Sequence, residues 1–234
     1  AVLLQRLAQI TEEERELLQG RGVDRALYAS GRAFEVDAAK MLEKGKLMSI
    51  RPHTRFAPFP RHSHNYVEIM YMCRGKTVHR IDGDALVTLE AGELLFLNRH
   101  ASHAIQRADA GDIAVNFIVL PQFFDEAFNM AGMDNVLSRF LLGELYPGGA
   151  AVSYLHFRVR EVLPVQNLVE NMVWTLVNRQ PGARRINQVT MGLLLLQLMH
   201  YTECIDMSRN GSIRSPMVEA ALREIEENYR AASL

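Results

Sequence analysis

Cysteine is scarce in this sequence, because its 234 residues include only Cys73 and Cys204, far apart and without a C-x-x-C spacing. This usage argues against a disulfide framework and is typical of a reducing compartment. Long apolar runs are also missing, since the longest, residues 191–199, is about half of what a bilayer-spanning helix needs. Residues 1–20 carry four glutamates and lack the cleavage pattern of a signal peptide. We therefore expect a soluble, cytoplasmic protein that has no membrane partner.

A surplus of charge of either sign is absent as well. The chain has 26 basic and 27 acidic residues, which gives a formal net charge of −1 at pH 7. This balance argues against an electrostatic footprint for nucleic acid or anionic membrane over the chain as a whole. The sequence also lacks the glycine-rich motifs of nucleotide-binding loops and the G-x-S-x-G motif of serine hydrolases. Cys73 has no acid–base partner at a recognisable spacing, so nucleophilic catalysis has no support.

The first two zones of the chain differ in their patterning. Residues 1–45 begin with a helix that opens in a capping box at Thr11, and continue as an arm or a covering segment. In residues 46–120, short runs of strand-forming residues alternate with turn signals, among them the hairpin dipeptide Asp82-Gly83. Several short strands at this spacing predict an all-β sandwich or barrel.

The third zone, residues 121–206, is predicted to be helical. Apolar residues recur three and four apart in segments 123–130, 134–145 and 164–180, and again in a helix over about 184–204. That last helix has two apolar faces, and both must be buried. The faces consist of Ile186, Val189, Leu193 and Leu196 on one side, and of Met191, Leu194, Leu195 and Leu198 on the other. The second partner is either the same helix of another subunit or an element of the same monomer, and the pattern leaves both open.

A polar stretch, residues 208–215, precedes one more predicted helix. Ser215 is a favourable N-cap and Pro216 a favourable first-turn residue. An amphipathic stripe then runs to the last residues of the sequence. We expect residues 207–234 to be a linker and the start of a further domain that is cut off.

Histidines of the β zone carry the clearest chemical signal. His62, His64 and Glu68 have the spacing H-x-H-x-x-x-E, and His103 follows a later strand. Because residues two apart in a strand share a face, one face of a predicted strand presents both imidazoles and the carboxylate. Such donors suit a first-row transition metal such as Zn, Fe, Mn or Ni, and do not suit Mg or Ca. A polar pocket whose imidazoles hydrogen-bond without a metal is the alternative that the spacing leaves open.

These residues resemble the cupin superfamily. The segment from His62 to Gly75 has the spacing of the first cupin motif, H-x-H-x3-E-x6-G, and Gly92 and His103 match the second motif. Proline, glycine and asparagine are usual in the second motif where this chain has Asn98, His100 and Arg107. The resemblance implies a double-stranded β-helix, or jelly-roll, barrel. It also implies four metal-binding positions, which here are His62, His64, Glu68 and His103.

The order of barrel, long helices and final amphipathic helix is similar to the AraC/XylS family of bacterial transcription regulators. The resemblance implies a mainly β plus α fold, in which a cupin barrel (46–120) precedes a helical dimerisation segment (121–206). The segment 207–234 resembles the beginning of a helix-turn-helix DNA-binding domain. On this interpretation a small-molecule effector binds in the barrel, the chain forms a homodimer, and DNA is bound only through the missing C-terminal domain. No catalytic residue is expected.

Four further residues of the β zone are candidate effector contacts. Tyr66 and Met70 share the predicted face of the histidines, His79 precedes the hairpin, and Phe96 lies in a later strand. Tyr66, Met70 and Phe96 are also typical of core or pocket-wall positions, and a surface position is the open alternative for His79. The complete ligand set keeps open a metal-dependent cupin enzyme of the dioxygenase or isomerase type. A stand-alone sugar-binding or storage cupin is a weaker alternative, and His53 is expected to have no role.

Overall fold

The computed structural model describes residues 2–131, 136–143, 152–201 and 205–207. Its helices are α1 (Val2–Leu7), α2 (Glu12–Leu18), α3 (Ala38–Met41), α4 (Asp125–Ala131), α5 (Val136–Leu142), α6 (Leu163–Val177) and α7 (Ala183–His200). Its strands are β1 (Glu35–Val36), β2 (Met48–Pro52), β3 (Phe59–His64), β4 (Val67–Arg74), β5 (Lys76–Ile81), β6 (Ala85–Glu90), β7 (Leu94–Leu97), β8 (Ser102–Ile105), β9 (Ile113–Val119), β10 (Tyr154–Phe157) and β11 (Ile205–Met207). Short 3-10 helices lie at Arg25–Leu27 and Pro121–Phe124. The helix predicted after residue 215, the linker before it and Cys204 lie outside the described residues.

The strands form two sheets. One has the order β1-β3-β8-β5-β6 and the other the order β11-β10-β7-β4-β9-β2. Among the described strands, every pair apart from the parallel β1–β3 pair is antiparallel. From β2 to β9 the chain passes repeatedly between the sheets, and only the β5–β6 hairpin stays within one of them. This is the predicted arrangement, a jelly-roll followed by a helical part.

Two strands of the larger sheet come from beyond the predicted β zone. Strand β10 pairs with β7, with Tyr154 opposite Leu97, and β11 pairs with the other edge of β10. All four residues of β10 are buried. Strand β10 therefore has none of the alternation of apolar and polar residues that marks a strand with one exposed face. The sheet is completed by residues of a segment that the sequence pattern indicated as helical.

The larger sheet is covered on both faces. Val67, Ile69 and Tyr71 of β4 pack in the core that the sheet shares with the helices. Met70 and Met72 point the other way, into the barrel between the two sheets. A strand that is buried on both faces reads as a nearly continuous apolar run, which explains the sequence of β4. Each fully buried large apolar side chain contributes about 1.5–3 kcal/mol to the stability of the fold.

Helix α7 buries one of its two apolar faces. The buried face packs into the core between the sheet and the helices, and it consists of Met191, Leu194, Leu195 and Leu198. On the other face Ile186, Val189 and Leu193 are exposed by 42%, 38% and 43%. In the described residues this second face is therefore not sandwiched inside the monomer. None of the described helices is long and apolar enough to cross a membrane.

The two glycines of the cupin motifs occupy turns that exclude other residues. Gly75 follows β4 with φ 81°, and a Cβ atom there would collide with the side chain of Asp112. Gly92 precedes β7 with φ 84°, and a Cβ atom would lie 2.8 Å from the Cα of Arg160. Both glycines adopt a conformation that L side chains strongly disfavour. They let the chain turn tightly at the end of the barrel away from the histidines.

A buried ion pair ties the N-terminal segment to the barrel. Arg55 donates two hydrogen bonds to Glu14 of α2, from Nε at 2.6 Å and from Nη2 at 2.8 Å. Both side chains are almost fully buried. The guanidinium group also donates to the backbone oxygens of Ala8, Gln9 and Ala110, and the backbone N–H of Arg55 donates to Oε1 of Glu14 at 3.2 Å. Glu14 also completes the predicted capping box with Thr11, so the helix start is positioned against the barrel.

Candidate metal and effector site in the barrel

The motif histidines and the motif carboxylate lie on opposite walls of the barrel. His62 and His64 belong to β3 of the smaller sheet, and Glu68 belongs to β4 of the larger one. The chain crosses between the sheets at Asn65 and Tyr66. The predicted single strand is therefore wrong, although the three side chains do converge. They meet because two walls face each other, and not because they alternate along one strand.

His103 joins this group from the neighbouring strand. On β8 it lies directly opposite His62 of β3, and the two ring centroids are 4.2 Å apart. Asn98 stands where the cupin motif usually has proline, and its Oδ1 accepts a hydrogen bond from the backbone N–H of His100 at 3.0 Å. The Nδ2 of Asn98 donates to the backbone oxygen of Val152 at 2.8 Å. These bonds hold the turn that leads into β8 without the usual proline.

Three of the four predicted ligands form a compact group. His62, Glu68 and His103 each offer one ligand atom, and these atoms lie within 4.8 Å of one another. Oε2 of Glu68 is 3.3 Å from Nε2 of His103 and 3.9 Å from Nε2 of His64. His64 therefore lies at the edge of the group that His62, Glu68 and His103 form. Ligands in a tetrahedral site with bonds of about 2.1 Å lie roughly 3.4 Å apart, so a metal would draw these side chains slightly closer together.

Hydrogen bonds leave free ring nitrogens facing the centre of the group. Nδ1 of His62 is 2.9 Å from the backbone oxygen of Pro60, and Nδ1 of His64 is 2.8 Å from that of Tyr66. A carbonyl oxygen only accepts, so each Nδ1 carries the proton and each Nε2 keeps its lone pair. This orientation of the second ring nitrogen is typical of histidines that bind metals. Within the described residues, Nε2 of His64, both ring nitrogens of His103 and Oε2 of Glu68 are buried without a hydrogen-bond partner.

Burial keeps these imidazoles neutral at pH 7. It lowers the pKa of His62 to about 3, that of His64 to about 4 and that of His103 to about 3. Neighbouring imidazoles lower these pKa values further, whereas Glu68 opposes the change at His62 and His64. Neutral imidazole is the form that binds a metal ion. A neutral Nε2 and a carboxylate oxygen both present lone pairs, so a cation or a proton is needed between them.

Two polar residues that sequence reasoning missed hold the carboxylate in place. Oε1 of Glu68 accepts a hydrogen bond from Nδ2 of Asn116 on β9 at 2.9 Å. Oδ1 of Asn116 is 3.3 Å from Nδ1 of His53, which donates in this pair. His53 is buried, and burial lowers its pKa. His53 was expected to be incidental, and only the pairing of β2 with β9 could have indicated its position beside the site.

A pocket opens beside this group. His62, Tyr66, Glu68 and Asn116 line its inner side, while Tyr28, Val36 and Met41 of the N-terminal segment form part of its outer wall. Its free volume is about 40 Å³, which is room for roughly two or three water molecules. The hydroxyl group of Tyr28 donates to the carboxylate of Glu13 at 2.6 Å, which holds this wall against α2. The pocket is narrow and partly open to solvent.

The four predicted effector contacts have different surroundings. Tyr66 lines the pocket and stacks on His64, with ring centroids 4.9 Å apart. His79 lies behind His103, at a centroid distance of 5.9 Å, and its Nε2 is 2.8 Å from Oγ1 of Thr77. Met70 is fully buried in the apolar core between the sheets and is not among the residues that line the pocket.

Phe96 requires a correction. It lies on the face of β7 that points to the helices, where its ring packs edge-on against Phe157 at 5.3 Å. Its neighbours Leu95 and Leu97 are the residues that face the barrel. All four residues of β7 are buried, so the sequence could not show which of them face inward. Phe96 is a core residue, outside the pocket.

The comparison with protein families identifies the barrel. Residues 49–128 match the family described as AraC-like ligand binding domain. This range runs from β2 into α4 and contains the complete His/Glu group. Residues 49–128 are thus similar to an AraC-like ligand-binding domain, which confirms the predicted resemblance to the AraC/XylS family for this part of the chain. No curated protein sequence matches the chain.

Several solved structures are similar to parts of the chain at low sequence identity. The apo form of a ToxT variant from Vibrio cholerae strain SCE256 has a TM-score of 0.51 at 9% identity, over 82% of this chain and 78% of that one. A cupin protein from Bacteroides fragilis is 28% identical over 31% of this chain and 64% of its own, with a TM-score of 0.27. Oxalate decarboxylase from Bacillus subtilis, which has Mn(II) centres, is 17% identical over 32% of this chain and 22% of its own, with a TM-score of 0.28. The likeness to ToxT is one of fold alone.

Proposed function

We propose that this chain is the effector-sensing and dimerisation part of an AraC-type transcription regulator. A small molecule binds in the barrel and controls DNA binding by a C-terminal helix-turn-helix domain, so the chain acts in the cytoplasm. The observation that carries the proposal is the pocket beside His62 and Glu68, walled by the N-terminal segment, in a domain of the AraC-like ligand-binding family. Residues 1–45 are its arm, 46–120 the sensor barrel, 121–206 the dimerisation segment and 207–234 the linker to the DNA-binding domain.

The narrow pocket supports a mechanism of population shift. Its free volume of about 40 Å³ is smaller than a sugar or an aromatic acid, so we expect the outer wall to move when a ligand of that size binds. Tyr28, Val36 and Met41 belong to the N-terminal segment, which has few strand pairings to the barrel. A ligand that binds more tightly when the outer wall has moved therefore shifts the chain towards that form. The size of the shift is set by the difference in the ligand's affinity for the two forms. Tyr66, at the inner wall, is the effector contact that we propose first.

A transition metal completes the barrel site in this proposal. His62, Glu68 and His103 are its ligands, and His64 is a fourth ligand or a neighbour of the metal. Two histidines and one carboxylate are donors that suit first-row transition metals such as Zn, Fe, Mn or Ni. The buried nitrogens that lack partners support this more strongly than the motif spacing does, because buried polar groups in proteins are almost always hydrogen-bonded.

Metal content tests the site directly. The protein is purified without chelator or added metal, and its metals are measured by inductively coupled plasma mass spectrometry. We expect about one equivalent per chain, and its loss in His103→Ala. The matched control is His200→Ala, which removes an exposed histidine at the end of α7. A His103→Ala variant that is folded by circular dichroism and retains the full metal content contradicts the assignment.

The exposed face of α7 supports a homodimer. Ile186, Val189 and Leu193 are spaced to form one stripe along the helix, and each is more than one third exposed. An apolar stripe left open by the monomer is buried when the same stripe of a second copy packs against it, as in helix pairs generally. The partner in this proposal is thus another copy of the chain.

A reporter fusion tests the regulator proposal as a whole. The chain is fused to a helix-turn-helix domain that binds its operator only as a dimer, and transcription of a reporter gene is measured. We expect operator-dependent regulation that is lost in Leu193→Glu. The control Leu163→Glu changes a residue that is 66% exposed outside the stripe, and it should keep regulation. A fusion that never regulates, although it is soluble and folded, contradicts the proposal.

A metal-dependent cupin enzyme remains a second candidate because of the two-histidine, one-carboxylate group. Such a group leaves positions on the metal for substrate and O₂. The test uses any compound that stabilises the metal-loaded protein. It is incubated with the protein in air and analysed by mass spectrometry. The sensor proposal predicts that the compound is recovered unchanged, whereas turnover into a product supports the enzyme.

A further inference from the structure

A second cavity lies outside the barrel, between the start of β2 and the turn that joins α6 to α7. Its free volume is about 320 Å³, against about 40 Å³ for the barrel pocket. This is the lower end of the range of about 300–1,000 Å³ that small-molecule sites occupy. Its lining comes from Phe123 and from some of the residues in the stretches 43–50 and 175–187; Arg185 is not among them. None of the barrel ligands belongs to it.

Asn187 is the feature that marks this cavity as a binding site. Its side chain is 1% exposed and lines the cavity, yet neither Oδ1 nor Nδ2 has a hydrogen-bond partner among the described residues. A side-chain amide offers two donors and an acceptor oxygen, and such groups are almost always satisfied when buried. The hydroxyl group of Thr175, another lining residue, donates to the backbone oxygen of Asn171 at 2.7 Å. A polar ligand group in the cavity would complete the bonding of Asn187.

The charges around the cavity favour an anion. Lys46, Arg179 and Arg184 line it, and Glu43 is the acidic residue among the lining residues. Glu43 pairs with Lys46 at 2.6 Å and lies 4.0 Å from Arg179, which leaves an excess of positive charge. Arg184 is three residues before Asn187 in the first turns of α7, so the two side chains lie on the same side of the helix. The positive end of the helix dipole adds to the attraction of an anion there.

The remaining lining carries no charge. Its apolar part includes Met48 and Ile50 of β2, together with Phe123 and Leu176, and its polar part includes Ser49 and Gln180. The apolar part suits a hydrocarbon chain or ring. The positive charges and the apolar surface together favour a ligand that has one anionic group and an apolar body.

We propose that this cavity is a second ligand site, for a small amphipathic carboxylate. The carboxylate accepts hydrogen bonds from Nδ2 of Asn187 and from the guanidinium group of Arg184, and the hydrocarbon part packs on Phe123 and Leu176. The site is separate from the effector pocket in the barrel. Its existence does not depend on a metal or on the regulator proposal.

Isothermal titration calorimetry with the full chain tests this site. The probes are 4-phenylbutyrate and octanoate, and their neutral counterparts are 4-phenylbutanol and 1-octanol. We expect one saturable site for at least one acid, and binding at least about tenfold weaker for the corresponding alcohol, which lacks the charge-assisted hydrogen bonds. Saturable binding of neither acid, or equal affinity for acid and alcohol, overturns the proposal.

Matched variants locate the binding. Asn187→Leu removes the amide and keeps the size of the side chain, while Gln188→Leu makes a similar change at the next residue, outside the cavity lining. Arg184→Gln removes a lining charge, whereas Arg185→Gln removes a charge that pairs with Glu126 at 2.6 Å. We expect about tenfold weaker binding in Asn187→Leu, about threefold weaker binding in Arg184→Gln, and unchanged binding in both controls.

A variant of the barrel separates the two sites. His103→Ala changes the barrel group and should leave the affinity for the acid unchanged. Arg184 is exposed, so its replacement cannot unfold the protein and keeps the test decisive even if Asn187→Leu is unstable. Loss of binding in His103→Ala with full binding in Arg184→Gln would place the acid in the barrel and overturn the proposal.

Discussion

Glu68 on β4 and His103 on β8 meet across the barrel, with Oε2 of the carboxylate 3.3 Å from Nε2 of the imidazole. They belong to different sheets, so their approach depends on the barrel as a whole and not on any local turn. Burial keeps the imidazole neutral by lowering its pKa to about 3. A metal ion between the two atoms would satisfy both of them. The interior of the barrel is polar at this point, unlike the apolar core around Met70.

Removal of the Asn116 side chain should weaken metal binding without removing a ligand. Asn116 donates to Oε1 of Glu68 at 2.9 Å and so fixes the direction of the carboxylate. Loss of such an outer hydrogen bond typically costs about 10–100-fold in metal affinity. We expect this loss in Asn116→Ala, measured by titration of Co²⁺ into the metal-free protein. The control Asn171→Ala on the exposed side of α6 should bind Co²⁺ normally. Equal affinities in the two variants would show that Asn116 does not orient the carboxylate.

Replacement of Phe96 should affect stability and leave the site intact. Its ring is fully buried between the larger sheet and the helices, against Phe157. Truncation of such a ring costs about 3–5 kcal/mol. We expect Phe96→Ala to lower the free energy of unfolding in urea by that amount, with an unchanged metal content per folded chain. If Phe96→Ala lost its metal with little change in the free energy of unfolding, Phe96 would belong to the metal site and this prediction would be contradicted.

The ion pair between Glu14 and Arg55 should make stability depend on pH in acid. Burial raises the pKa of Glu14, but hydrogen bonds from Arg55 and Thr11 and the charge of Arg55 outweigh it, so the pKa lies below its ordinary value of 4.5. The folded protein therefore takes up this proton less readily than the unfolded chain. The contribution of the pair is fully present above pH 4.5 and is lost as the pH falls through the folded pKa.

A variant isolates this contribution. In Glu14→Gln the charge of Arg55 stays buried without its partner, which typically costs about 3–5 kcal/mol at neutral pH. We expect the stability difference from the wild type, measured by urea unfolding between pH 7 and pH 3, to shrink as the pH falls. The control Glu12→Gln changes an exposed carboxylate of the same helix and should follow the wild type. A difference that stays constant with pH would mean that Glu14 does not ionise as we infer.

The stripe on α7 should control the oligomeric state. Leu193→Glu places a charge in the middle of the exposed face, where a second copy would have to bury it. We expect a dimer for the wild type and for Leu163→Glu, and a monomer for Leu193→Glu, in sedimentation equilibrium. A dimer that survives Leu193→Glu unchanged would place the interface elsewhere on the chain.

The sequence pattern predicted where many strands of the barrel lie, but it did not predict which strands pair with one another. Six strands between Met48 and Val119, β2, β4 to β7 and β9, were visible as short runs between turn signals, whereas β3 and β8 were not. A hairpin turns at Asp82-Gly83, with φ 49° and 95°, but its loop has three residues, 82–84, instead of the predicted two. Helix α6 ends at Val177, shortly before Pro181, as helix-stop signals indicate. Strand β10 escaped detection because its four residues are all buried, which removes the periodicity that identifies a strand.

The candidate metal ligands could be predicted from the sequence, but their positions relative to one another could not. The spacing of His62, Glu68 and His103 was enough to nominate them, and the structure brings them within 4.8 Å. His53 and Asn116 could not be found, because only the pairing of β2 with β9 and of β9 with β4 brings them to Glu68. A single sequence contains no direct record of such register. The same limit applies to Phe96, whose face depends on how β7 is seated between β4 and β10.

The central claim is that the barrel pocket binds a small molecule behind the N-terminal wall, and a paired thermal-shift screen tests it most directly. A library of sugars and aromatic acids is applied to the wild type, to Met41→Leu and to Met41→Trp, because Met41 is partly exposed and lines the pocket. A bulky indole at this position fills the mouth of the pocket. The account predicts compounds that raise the melting temperature of the wild type and of Met41→Leu but not of Met41→Trp. Compounds that stabilise all three proteins equally, or a library without any stabilising compound, would contradict it.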